Sequence, residues 1–137
     1  VKVWAISVQQ PFAWAIIHGG KNIENRIWQP KGIKPGDKLA IVASKTWYPV
    51  YKDGREVRWK RIASDLKLSG VAIMPSGADF LLGGLIGTVT FQGVARDKHL
   101  ENVWAMEDQY HFLLGDPQPL PFRPIRGQLG LYQIDLT

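Results

Sequence analysis

Cysteine is absent from this 137-residue chain, which excludes a disulfide framework and any thiolate metal site. Long apolar runs are absent too. Stretches such as Phe12 to Ile17 fall far short of the roughly 20 residues a membrane-spanning helix needs. The first residues show no charged-then-apolar leader pattern, so the chain is expected to be soluble and cytoplasmic, with no membrane partner. Histidine is scarce, and His18, His99 and His111 have no metal-like spacing, so neither a metal nor a cofactor is expected. There is no P-loop, and Gly83-Gly84 with Gly87 does not make a dinucleotide fingerprint. No Ser/His/Asp set with ordered spacing stands out.

What is present describes one globular unit. Hydrophobic residues make up 45% of the chain and charged residues 21%, values that leave little room for long disorder. The length fits a single domain over residues 1–137 and is too short for two ordinary ones. Fourteen glycines and nine prolines imply short elements joined by frequent turns, as in a β-rich fold rather than a helical bundle. The formal net charge of +5 favours polyanionic partners through counterion release and steering. Six tryptophans offer aromatic faces for base stacking, although tryptophans in small domains also serve simply as core.

Along the chain, Lys2 to Val8 alternates and is rich in β-formers, which predicts a first strand. Pro11 then stands where a first helical turn tolerates proline, and Phe12 to His18 follows as a helix ended by Gly19-Gly20. Asn22 to Trp28 is predicted as a strand, placing Glu24, Arg26 and Trp28 on one face. Pro35-Gly36-Asp37 marks a turn, Lys38 to Ser44 a strand, and Lys45 to Tyr51 an aromatic loop. In Asp53 to Leu68, Trp59, Ile62, Ala63 and Leu66 recur at helical spacing beneath Arg55, Arg58, Lys60, Arg61 and Lys67. That basic surface suits phosphate tracking or plain solvation. Leu85 to Ala95 is predicted as a longer strand, Tyr110 to Leu114 as another, and Leu129 to Leu136 as the last. Four prolines between Pro117 and Pro124 predict an extended loop there. Five or six strands with two or three helices make the fold α+β or mainly β.

Three stretches together resemble the ASCH (activating signal cointegrator homology) family. They are Ser7 to Ile17 with its Gln-Pro helix start, Gly20-Lys21-Asn22-Ile23-Glu24-Asn25-Arg26, and Gly127-Gln128-Leu129-Gly130-Leu131-Tyr132. The middle one matches the family signature G-K-x-x-E-x-R, and Gly36 to Ser44 resembles the family's second core strand. The resemblance implies a PUA-like mixed β-barrel with a cleft beside the first helix. Members are proposed to bind RNA, and some relatives hydrolyse acylated cytidine nucleosides or cleave single-stranded RNA. The acyl-cytidine hydrolases carry a threonine nucleophile at the position of Glu24, so their mechanism does not transfer intact.

Lys21, Glu24 and Arg26 form the leading site. Fixed cations suit a phosphate or an acyl oxyanion, and a carboxylate suits an exocyclic amine. In an enzyme, Lys21 and Glu24 would be the catalytic pair. The plainer alternative is a structural ion pair. Ser7, Gln9 and Gln10 stand at the strand-to-helix junction, as anion or base contacts or as ordinary caps. Ser44, Lys45 and Trp47 end the second core strand, where a cation beside rings suits single-stranded RNA and equally suits loop packing. Arg126 would frame the far wall. The expected function is binding of RNA or a modified nucleotide, with a hydrolase in the same cleft or a protein-interaction module as alternatives.

Overall fold

The structure is a computed structural model that describes residues 1–48, 51–52, 55–56, 80–96 and 101–137, with only the backbone described for 51–52 and 55–56. The order is β1 (Lys2–Gln10), α1 (Phe12–His18), β2 (Ile23–Arg26), β3 (Lys38–Trp47), β4 (Tyr51–Lys52), β5 (Arg55–Glu56), β6 (Gly84–Arg96), β7 (Tyr110–Pro124) and β8 (Leu131–Asp135). Six strands form one sheet in the order β2-β7-β6-β3-β1-β8, and β4 and β5 pair separately. Only β1 and β3 run parallel within the large sheet. That pairing requires a crossover, and the intervening chain supplies it with α1 and β2.

Side-chain alternation divides the core. One face gathers Ile6 and Val8 of β1, Leu39 and Ile41 of β3, Val89 and Phe91 of β6, and Phe112 and Leu114 of β7. Helix α1 covers this face with Ala13, Ile16 and Ile17, an i, i+3, i+4 stripe. The other face of the same central strands buries Ala5, Ala40, Val42, Leu85, Tyr132 and Ile134. Burial on both faces explains why Leu39 to Ala43 is an unbroken apolar run. At Gly87 the helix and sheet meet closely: a Cβ there would lie 2.5 Å from the Gln118 carbonyl oxygen and 2.8 Å from Ile17 Cδ1.

The class is therefore α+β and mostly β. The expected barrel is corrected in one respect: β2 and β8 remain edge strands, and the backbone ladder does not close between them. The described residues hold one α-helix rather than two or three. The helix expected from Asp53 does not start there, because Arg55–Glu56 pairs antiparallel with Tyr51–Lys52; residues 57–68 lie outside the described residues, as do the side chains of Arg55, Arg58, Lys60, Arg61 and Lys67. Lys45 to Trp47, expected in a loop, extends β3. The proline-rich segment is the second half of β7 rather than a loop.

Candidate functional site: a buried charge cluster beside the helix

The glycines after α1 set the position of Lys21. Gly20 adopts φ +75°, a left-handed turn that glycine takes without a Cβ penalty, and the Lys21 amide donates back to the Ala15 carbonyl at 3.0 Å. This carries the lysine under the helix, where its side chain is buried. Lys21 Nζ donates to the Ile23 carbonyl and to Glu24 Oε1 at 3.3 Å. It also lies 5.6 Å from the ring centroids of both Phe12 and Trp104, within cation–π range.

Glu24 and Arg26 face the same way, as the two-residue strand period dictates. They pair with Phe112 and Tyr110 across β2–β7, so both point to the α1-covered face. Arg26 donates to Glu24 Oε2 through Nε at 3.0 Å and Nη2 at 2.7 Å. Its Nη2 also donates to the Ser7 carbonyl at 2.7 Å. Strand β2 is one edge of the sheet and β1 lies next to the other edge, so this bond shows how far the sheet curls. Burial pushes the Glu24 carboxyl up, but the Lys21 and Arg26 charges and their hydrogen bonds prevail and hold it below its ordinary value. Both cations donate to this one carboxylate.

The other expected residues fall around this centre in different ways. Ser7 contributes its carbonyl to Arg26, while its hydroxyl is 2.7 Å from the Tyr132 hydroxyl on β8. Gln10 is buried and structural in its contacts: Nε2 donates to the Leu81 carbonyl at 2.9 Å, and Oε1 accepts the Trp14 amide at 2.8 Å in the first turn of α1. Gln9 donates to Thr46 Oγ1 at 3.2 Å. Ser44 is half-buried and Lys45 exposed near the end of β3. Trp47 is in register with Gln10 and meets Phe80 edge-on at 4.9 Å. Tyr48 meets Phe12 edge-on at 5.0 Å, so rings run from the end of β3 to Lys21. Arg126 is exposed, and no bond ties it to the cluster among the described residues.

Two residues of this neighbourhood had no assigned role in the sequence reading. Trp104 sits in an irregular segment tied to β2 by Asn25, which donates to the Trp104 carbonyl at 2.7 Å and accepts the Met106 amide at 2.9 Å. Tyr132 belongs to the closing motif, and its link to Ser7 spans 125 residues. Burial pushes its phenol above the ordinary value, so it is a neutral hydroxyl at physiological pH. No group of three or more metal-ligating side chains occurs among the described residues, and no helix among them is long and apolar enough to cross a membrane.

Comparison with known proteins places this architecture. Comparison with curated proteins returns no match. Among solved structures, an ASCH protein from Zymomonas mobilis is similar at 15% identity and a TM-score of 0.59, covering 97% of this chain and 87% of that one. Two of its variants, one with a tyrosine replaced by phenylalanine and one with a serine replaced by alanine, match at the same TM-score with 15% and 16% identity. They cover 90% and 88% of their own chains and 97% of this one. At this identity the likeness is one of fold. The ASCH domain family model matches residues 6–115, and the chain belongs to the ASCH domain family.

Proposed function

We propose that this ASCH domain binds single-stranded RNA or a nucleotide beside α1, on a curled sheet of the PUA-like barrel kind. The observation that carries the reading is the state of Arg26. Its Nε and Nη2 are committed to Glu24 and Ser7, whereas Nη1 has no partner among the described residues, and the side chain is 24% exposed. Glu24 thus fixes the guanidinium while one nitrogen remains open to a phosphate oxygen or a base edge. The half-buried rings of Phe12, Tyr48 and Trp47 supply apolar faces nearby, as base stacking uses.

Binding ranks above hydrolysis on the same geometry. Lys21 Nζ donates to a carboxylate and a carbonyl, and a donating ammonium offers no lone pair for attack or proton abstraction. Fluorescence anisotropy of a short single-stranded RNA against salt tests the reading. Wild-type affinity is expected to fall steeply as salt rises, and Arg26→Ala to weaken it about tenfold, the scale of one hydrogen bond to a charged group. Losing one phosphate contact should also make the log–log salt slope shallower by about 0.7. Binding that is absent, or indifferent to both salt and Arg26→Ala, refutes it. Turnover of RNA or an acylated nucleoside that vanishes in Lys21→Ala would favour the hydrolase instead.

A further inference from the structure

The β8 ladder stops short of the end of β1. Pairing runs from Lys2↔Asp135 to Ile6↔Leu131, so from Ser7 onward that side of β1 has no strand beside it among the described residues. Arg26 takes up the Ser7 carbonyl there. The side chain of Ser7 shares a face with Ala5, opposite Tyr132 in the ladder, and its Oγ lies 2.7 Å from the Tyr132 hydroxyl.

We propose that Ser7, Tyr132 and Arg26 build a phosphoryl-binding subsite where β1 outruns β8, with Tyr132 orienting the Ser7 hydroxyl toward the ligand. This rests on the reading that the Arg26 end of the cluster binds nucleotides, and it names the part of the ligand held there.

The direction of the hydrogen bonds supports it. The two hydroxyls are 2.7 Å apart and the phenol is neutral, so its proton is available to Ser7 Oγ. With Tyr132 as donor, the Ser7 hydroxyl proton turns outward. The Ser7 carbonyl already accepts from Arg26, and both Glu24 oxygens accept from Lys21 and Arg26. What remains to offer is the Ser7 hydroxyl proton and the Nη1 protons of Arg26. A hydroxyl donor beside a guanidinium suits phosphate oxygens.

Gly127 fits the same account. A Cβ at this position would lie 2.9 Å from Ser7 Oγ, closer than such contacts allow, so a side chain there would crowd the hydroxyl. The exposed loop of Gly127 to Leu129 therefore borders the subsite without filling it.

The test compares AMP with adenosine by amide chemical-shift titration of the full chain. Wild type is expected to bind AMP more tightly than adenosine. Ser7→Ala and Tyr132→Phe should each weaken AMP about tenfold, the scale of one hydrogen bond to a charged group, while leaving adenosine unchanged. Tyr132→Phe keeps the ring that packs the core, and the spectrum of each free variant reports whether the fold survives. A general folding defect would affect both ligands. Because the two hydroxyls act in series, the double variant should lose no more than either single one. If AMP is preferred and neither variant changes it, the subsite is refuted while the Arg26 reading stands. If AMP shows no advantage over adenosine, the subsite is refuted too, and the Arg26 reading then stands or falls on RNA binding by Arg26→Ala alone.

Discussion

Replacing Glu24 by glutamine keeps the shape of the side chain and removes the negative charge that Lys21 and Arg26 share. Glu24 is 8% exposed and Lys21 is 5% exposed, so the change takes the carboxylate away from a buried ammonium that donates to it. Breaking a buried pair in this way costs about 3–5 kcal/mol. With a urea m-value of about 2 kcal/mol/M, even the lower figure moves the unfolding midpoint down by roughly 1.5 M. Lys21→Met provides the contrast. It leaves Glu24 bound to Arg26 through Nε and Nη2 and puts an apolar chain between Phe12 and Trp104, so it should lose clearly less. Urea denaturation followed by circular dichroism measures both variants. A loss below about 1 kcal/mol for Glu24→Gln would mean that water compensates the charges. Equal losses for the two variants would mean that the carboxylate is not the hub. Either result refutes the reasoning.

The same carboxylate sets an acid limb. The Glu24 pKa is lowered on folding from an ordinary 4.5, so its contribution is fully present above about pH 4.5 and is lost as pH falls through the folded value. The stability gap between wild type and Glu24→Gln should therefore narrow on acidification, as denaturation at several pH values would show. Asn25→Ala removes two of the bonds that hold the Trp104–Met106 segment, including the acceptor of the Met106 amide, and hydrogen exchange at that amide should accelerate about tenfold or more, each lost bond being worth about 1 kcal/mol. Gly87→Ala sets a methyl group against the Gln118 carbonyl and Ile17 and should lower stability by about 1–3 kcal/mol, the range for overpacking, read from the thermal midpoint.

The parts of the fold that were legible in the sequence are those whose signal is local. Helix α1 runs from Phe12 to His18 as its composition and the flanking Pro11 and Gly19 suggest, and β3 and β6 follow their apolar runs to within a few residues. The proline-rich half of β7 was not legible, because proline's meaning depends on which edge of the strand it faces. Strand β2 covers only Tyr110 to Leu113 of β7, leaving the rest of that edge open among the described residues. The Gln118 carbonyl points at Gly87 of β6, so its neighbours Pro117 and Pro119 turn the opposite way, toward the open edge. A missing N–H disrupts no ladder there, and it also discourages pairing with a foreign strand.

The site divides along the same line between local and non-local information. That Glu24 and Arg26 share a face follows from the period of a strand, and the spacing of Lys21 follows from the glycines that end the helix. What Arg26 does next depends on where a ladder ends. In the sequence Ser7 stands out only with Gln9 and Gln10, as an anion or base contact or a cap at the strand-to-helix junction, yet its carbonyl is what the guanidinium holds, because β8 stops pairing at Ile6. Had β8 continued, that carbonyl would face a strand, and Nη2 of Arg26, still held by Glu24, would have one more proton to offer. The reach of a strand begun more than 120 residues later thus decides how many donors the cluster can present, and no motif centred on Lys21, Glu24 and Arg26 contains that information.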